Sequence, residues 1–160
     1  WPFLREAQAN SLSVPKTGMA CIIDIGNAND IHPTNKLDVG DRLAMNALKD
    51  IFGKPIISNG PRFSDAKFEG NRAIITFSEV GAGLKSTNKY GYINGFAVAG
   101  ADKVFHYAKA SFKSQNSVVV FSDKVDKIES VRFLWANNPG EINLYNSVDL
   151  PAEPFRTDKW

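Results

Sequence analysis

The stretch Ala73-Ile74-Ile75-Thr76-Phe77-Ser78-Glu79 decides the fold. Ala73, Ile75 and Phe77 alternate with Ile74, Thr76 and Ser78, the two-residue period of a strand with one face turned to a core. Isoleucine, threonine and phenylalanine suit a pleated surface, and Gly81-Ala82-Gly83 then supplies turn chemistry. Similar runs recur on both sides, at Arg62 to Phe68, Gly95 to Ala99, Val104 to Phe112, Ser117 to Ser122, Ser130 to Trp135, and near Asn143 to Tyr145. Glu69-Gly70-Asn71, Gly100-Ala101-Asp102 and Ser114-Gln115-Asn116 separate them. About seven short strands at this spacing predict an antiparallel β-sandwich.

Upstream of Lys54 the pattern changes. Leu4, Ala7, Gln8 and Ser11 share a helical face, which predicts a short helix over 3–12 that ends before Val14-Pro15. Lys16-Thr17-Gly18 then turns into Met19 to Ile25, an apolar run without alternation that predicts a strand buried on both faces of a parallel sheet. Val39, Leu43, Ala47, Leu48 and Ile51 recur at helical spacing over 35–52. Asp38 and Arg42 are spaced for an i,i+4 ion pair on the outer face of that helix, and Gly53 for its C-cap.

The predicted class is therefore α+β, with residues 1–53 as a helix-strand-helix unit and residues 54–160 as a β-sandwich domain, divided at Gly53-Lys54-Pro55. A lone parallel strand makes no sheet, so its neighbours are expected from chain outside these residues. The opening Trp1-Pro2-Phe3-Leu4-Arg5-Glu6-Ala7-Gln8, with no initiator Met or signal-type apolar core, likewise reads as the interior of a longer chain.

Composition bounds the partners. The chain has 160 residues, 43% hydrophobic and 22% charged, as in an ordinary globular protein. Nineteen basic and seventeen acidic residues are interleaved, and no Lys/Arg block marks a nucleic-acid or lipid surface. No run approaches the ~18 apolar residues of a membrane span. The single cysteine, Cys21, has no disulfide mate and sits in an apolar run, where it reads as a buried small hydrophobe.

His32 is the most informative polar residue. It lies in Asn29-Asp30-Ile31-His32-Pro33, after the predicted buried strand and before a helix, where open α/β sheets place their ligand sites. Asp24, Asn27, Asn29 and Asp30 are all near enough in sequence to orient an imidazole, the supporting role that an acid plays in a Ser-His-Asp triad. The spacing does not choose among them. No Gly-x-Ser-x-Gly elbow or Gly-Asp-Ser occurs, so the matching nucleophile is missing. His32 and His106 lie far apart without paired cysteines, which gives no metal motif, and no phosphate-binding glycine loop predicts a cofactor. His106 reads as the polar face of a strand.

Several blocks together resemble the sialate O-acetylesterase family, a branch of the SGNH (GDSL-type) hydrolases. They are Leu4-Arg5-Glu6-Ala7-Gln8, Asp24-Ile25-Gly26, Asp30-Ile31-His32-Pro33, Val39-Gly40-x-Arg42-Leu43-Ala44, Gly95-Phe96, Val131-Arg132-Phe133-x-Trp135-Ala136-Asn137-Asn138-Pro139, Asn143-Leu144-Tyr145-Asn146 and Leu150-Pro151-Ala152-x-Pro154-Phe155-Arg156-Thr157-Asp158-x-Trp160. The resemblance covers essentially the whole chain. It implies that residues 1–53 end an SGNH-type esterase domain and that residues 54–160 are an accessory β-sandwich. It further implies a metal-free serine esterase that removes O-acetyl groups from sialic acid or related acetylated sugars. His32 matches the catalytic histidine, while the serine belongs to an upstream segment, so the 160 residues alone are expected to be inactive. The family's acid usually stands three residues before the histidine; that position is Asn29 here, leaving Asp30, Asp24, an acid elsewhere, or a Ser-His dyad. Arg5 and Gln8 match a segment that contributes to the substrate pocket or fixes the helix. A secreted, periplasmic or lysosomal location follows from the resemblance alone.

A second reading is a non-catalytic carbohydrate-binding or docking module built on the β region. Trp135, Asn137, Asn138, Tyr145 and Asn146 combine aromatic faces with amides, which can stack on and hydrogen-bond a sugar. The same residues also suit a core and its turns.

Overall fold

Antiparallel pairing organises most of the molecule, which a computed structural model describes over all 160 residues. The helices are α1 (Pro2–Asn10), prolonged by a 3-10 turn at Ser11–Ser13, and α2 (Lys36–Asp50). The strands are β1 (Arg62–Glu69), β2 (Arg72–Ser78), β3 (Leu84–Ser86), β4 (Phe96–Ala99) and β5 (His106–Tyr107). They continue with β6 (Lys109–Ser114), β7 (Ser117–Phe121), β8 (Ser130–Phe133), β9 (Leu144–Asn146) and β10 (Phe155–Arg156). One sheet runs β1-β2-β7-β6, a second β10-β8-β4-β5, and β3 pairs with β9 as a ribbon. The fold is α+β, with two helices and antiparallel sheets.

The alternation in β2 works as the sequence predicts. Ala73, Ile75 and Phe77 are buried while Arg72 and Ser78 are exposed. They meet Val118 and Val120 of β7 from their own sheet and Phe96, Val98, Val131 and Phe133 from the second sheet in one apolar cluster. Phe133 lies 4.5 Å from Phe96 and 5.8 Å from Phe155, ring to ring. Such close-packed aromatics carry much of the core energy.

The run Val104 to Phe112, expected as one strand, is divided. β5 pairs with β4, and after Ala108 the chain crosses to pair β6 with β7 in the other sheet. Ala108 N–H still bonds Phe96 O at 3.0 Å, so the crossing takes place at the next residue. β3 and the two-residue β10 are additional to the predicted strands.

Met19 to Ile25 is not a strand. Residues 19–22 join no ladder, and 23–25 form a turn closed by Ile25 N–H on Ile22 O at 3.2 Å. A strand needs a neighbour for its backbone groups, and no strand of this chain lies alongside. Side chains of α2 take the carbonyls instead: Arg42 Nη1 donates to Cys21 O at 2.6 Å, and Asn46 Nδ2 to Met19 O at 3.3 Å. Gly18 allows this approach, since a Cβ there would lie 3.1 Å from Asn46 Cβ.

The expected outer ion pair on α2 is also absent. Arg42 points inward and is buried with Asn46, whereas Leu37, Leu48 and Ile51 are exposed. The reason is electrostatic, because the Asp24 carboxylate lies buried against the helix and takes the Arg42 guanidinium as its counter-charge. Asp38 instead accepts from Asn35 Nδ2 at 2.8 Å, while Asn35 Oδ1 caps the helix by accepting Asp38 N–H at 3.1 Å. Gly53, at φ +62°, ends α2 as expected, with Lys54 N–H reaching back to Leu48 O. No helix is long and apolar enough to cross a membrane.

Candidate active site

The His32 loop hangs between two anchors, one in α2 and one at its N-cap. At its entry, Arg42 donates to both oxygens of Asp24, at 2.6 and 2.8 Å, and Tyr145 Oη of β9 lies 3.4 Å from Asp24 Oδ2. At its exit stands the Asn35 cap. Burial, reinforced by the Asp24 charge, pushes the Tyr145 hydroxyl up to about 12, so it stays a hydrogen-bond donor. With both its oxygens taken in this way, Asp24 does not touch His32.

Asp30 does. Its Oδ1 is 2.8 Å from His32 Nδ1 and accepts the His32 backbone N–H at 2.9 Å, while Asn27 and Asp30 form an isolated bridge across the loop. The His32 backbone N–H and then its ring hold the Asp30 carboxyl below the usual carboxylate range. The His32 side chain is 78% exposed, and with Nδ1 engaged its Nε2 is the nitrogen left for another group. Asn29 gives its backbone N–H to Asn27 Oδ1 at 2.9 Å.

Beside this pair lies a cavity of about 830 Å³, lined by Arg5 and Gln8 of α1, Asp30 of the loop, and Asn137, Asn138 and Gly140 of the β region, among others. His32 stands outside the lining, next to Asp30. Arg5 Nη2 donates to Ala136 O, and Arg5 Nε is buried without a partner in the protein. Burial lowers the Arg5 guanidinium from its ordinary value. The structure thus brings Arg5, Gln8 and Asp30 to one cavity and sets His32 at its edge.

Cys21 also faces the cavity, but burial pushes its thiol up to about 12, which leaves no thiolate at neutral pH. Glu153 is a residue that sequence reasoning missed. It is buried at the cavity wall, raised by that burial, and held by Arg62 Nε at 2.8 Å. His106 sits in β5 opposite Val98, as a strand residue. No three His, Cys, Asp or Glu side chains converge as a metal-ligating group.

Most residues considered for sugar stacking are otherwise engaged. Trp135 meets the Phe3 ring edge-on at 5.5 Å and lies 5.1 Å from the Arg156 guanidinium. Asn146 is fully buried; it donates to Asn59 O and Glu79 O and accepts from Val148 and Leu150 N–H. Asn137 and Asn138 alone of that group line the cavity.

No family model matches the sequence, and no curated protein matches it. Among solved structures, a carbohydrate acetylesterase from Xanthomonas citri aligns with 100% of this chain at 45% identity and a TM-score of 0.94. The chain spans 37% of the length of that protein. The fold described above is therefore shared with that portion of the acetylesterase.

Proposed function

We propose that this chain is the carboxy-terminal part of a serine O-acetylesterase acting on sialic acid or related acetylated sugars, and that it supplies the histidine and its acid. The Asp30–His32 contact of 2.8 Å at the edge of a large cavity carries the reading. Asp30 fixes the tautomer with hydrogen on Nδ1, so that Nε2 accepts the proton of a serine hydroxyl as the serine attacks the acetyl carbonyl. The imidazolium then returns that proton to the departing sugar oxygen, leaving an acetyl-serine. In the second half, Nε2 takes a proton from water, hydroxide adds to the acyl carbon, and acetate leaves as the proton returns to the serine oxygen.

The serine is assigned to chain outside these residues. Two observations support this: the acetylesterase with which the chain aligns is longer, and the face of α2 carrying Leu37, Leu48 and Ile51 is uncovered. Within the same reading, residues 1–53 complete an SGNH-type domain, residues 54–160 form an accessory β-sandwich, Arg5 and Gln8 contact substrate, and the protein works in a secreted, periplasmic or lysosomal setting.

The test is a fluorophosphonate serine probe applied to this chain and to the full-length gene product, read by intact mass. Labelling of the longer protein alone, with deacetylation of an O-acetyl sugar abolished by His32→Ala, is the expected result. Labelling of the 160 residues themselves, or a His32→Ala enzyme of normal activity, would overturn the proposal.

A further inference from the structure

The cavity beside His32 has walls from both parts of the chain, and its β-region wall has a distinct chemistry. We infer that the loop Asn137–Gly140 recognises the sugar, with the side-chain N–H groups of Asn137 and Asn138 donating to hydroxyl or acetyl oxygens of the ring that carries the ester. This rests on the esterase reading above and assigns leaving-group specificity to the β region.

Three observations carry it. First, the loop is held in place from behind. Trp135 packs on Phe3, Arg5 donates to Ala136 O, and the Trp1 backbone nitrogen lies 3.1 Å from Asn137 Oδ1. A recognition loop held this way loses little freedom when ligand binds.

Second, both amides have their oxygen engaged and their nitrogen free. Asn137 Oδ1 lies 3.1 Å from the Trp1 backbone nitrogen, which in a longer chain is a peptide N–H, and Asn138 Oδ1 accepts Gly140 N–H at 3.3 Å. Neither NH₂ group donates a hydrogen bond within the protein, and both residues line the cavity. The first part of the chain offers a matching donor in Asn27, whose oxygen accepts Asn29 N–H and whose nitrogen is free.

Third, two of the three carboxylates of the cavity are ion-paired, Asp24 with Arg42 and Glu153 with Arg62, and Asp30 is hydrogen-bonded to His32 through one oxygen. With Asp24 and Glu153 ion-paired, the amide N–H groups of Asn27, Asn137 and Asn138 are hydrogen-bond donors that the cavity offers a ligand. That chemistry suits a ligand rich in hydroxyl and carbonyl oxygens.

The experiment uses the full-length gene product, with Asn137→Ser and Asn138→Ser made singly and together. A serine oxygen at 138 can still accept Gly140 N–H while the NH₂ donor is lost. Substrates are an O-acetylated sialoside, an O-acetylated xylo-oligosaccharide and 4-nitrophenyl acetate, the last having no sugar to recognise. The double variant is expected to raise KM on the better acetyl sugar by about ten-fold or more, with kcat and 4-nitrophenyl acetate turnover within about two-fold. Equal loss on the sugar ester and the aryl ester, or no change on either, would overturn the inference. His32→Ala run alongside separates the two claims: an active His32→Ala enzyme defeats the esterase reading, whereas an inactive one with indifferent Asn variants defeats this inference alone.

Discussion

Arg156 and Glu6 form a two-pronged ion pair, at 2.8 and 2.9 Å, between β10 and α1. The same guanidinium lies between the rings of Phe3 and Trp135, 5.0 and 5.1 Å away. Beside it, Thr157 Oγ1 accepts Val131 N–H, and Asp158 takes a bidentate pair from Arg132. The block Phe155-Arg156-Thr157-Asp158 is thus a clasp that fastens α1, and with it Arg5, to the sheets.

Opening this clasp at its centre has a measurable cost. Arg156→Ala removes a charge-assisted fork and two cation–π contacts, and is expected to lower stability by about 1–3 kcal/mol in urea unfolding. Arg156→Lys restores only part, because an ammonium cannot make the fork. Equal stability of Arg156→Ala and the parent would show that the clasp contributes nothing.

Asp24→Asn leaves the Arg42 guanidinium buried without its counter-charge. A loss of about 3–5 kcal/mol is expected. Replacing both residues by leucine should cost less than either single change, since no charge is then stranded. A double-mutant cycle by chemical denaturation reads the difference, and additive effects would refute the coupling.

Asp30 should titrate below the ordinary aspartate value of about 3.9. Its pKa is depressed in the folded protein, so the bond to His32 stabilises the loop fully above the ordinary value and is lost as pH falls through the lowered one. Carboxyl-carbon NMR of the folded chain checks this. His32→Ala removes the ring bond and should move the midpoint upward, towards the ordinary value; an unmoved midpoint would mean that the ring adds nothing.

Cys21 should resist alkylation. With its thiol pushed up to about 12, iodoacetamide at pH 8 is expected to leave the native protein unmodified over the time in which the urea-unfolded chain reacts completely, as intact mass would report. Comparable rates in both states would contradict the protonated thiol.

The β region was legible because its signal is local. In β2 the two-residue alternation and the flanking turns are both written within a few residues, and the neighbouring strands repeat the pattern. β10 was not legible, since two residues cannot display a period. Met19 to Ile25 misled on both counts: without a neighbouring strand in this chain the run forms no ladder and is only half-buried, Cys21 included, since pairing and full burial are tertiary facts. Arg42 misled in the opposite sense. Helical spacing placed it beside Asp38, but a carboxylate inside an apolar run, Asp24, is a demand for a buried counter-charge, and that demand was the available signal. At the candidate site, the spacing left Asp24, Asn27, Asn29 and Asp30 open as partners of His32, and the Asp30 contact, like the Asn137 and Asn138 wall, required the fold.

The crossing after Ala108 has a mechanical meaning. Because β5 belongs to one sheet and β6 to the other, a single length of backbone is woven into both, and neither sheet can peel away without dragging on the ladder of its neighbour. A force or a thermal fluctuation that loosens β4 from β5 is passed directly to β6 and β7. The β region should therefore fail as one body, giving a single sharp unfolding event.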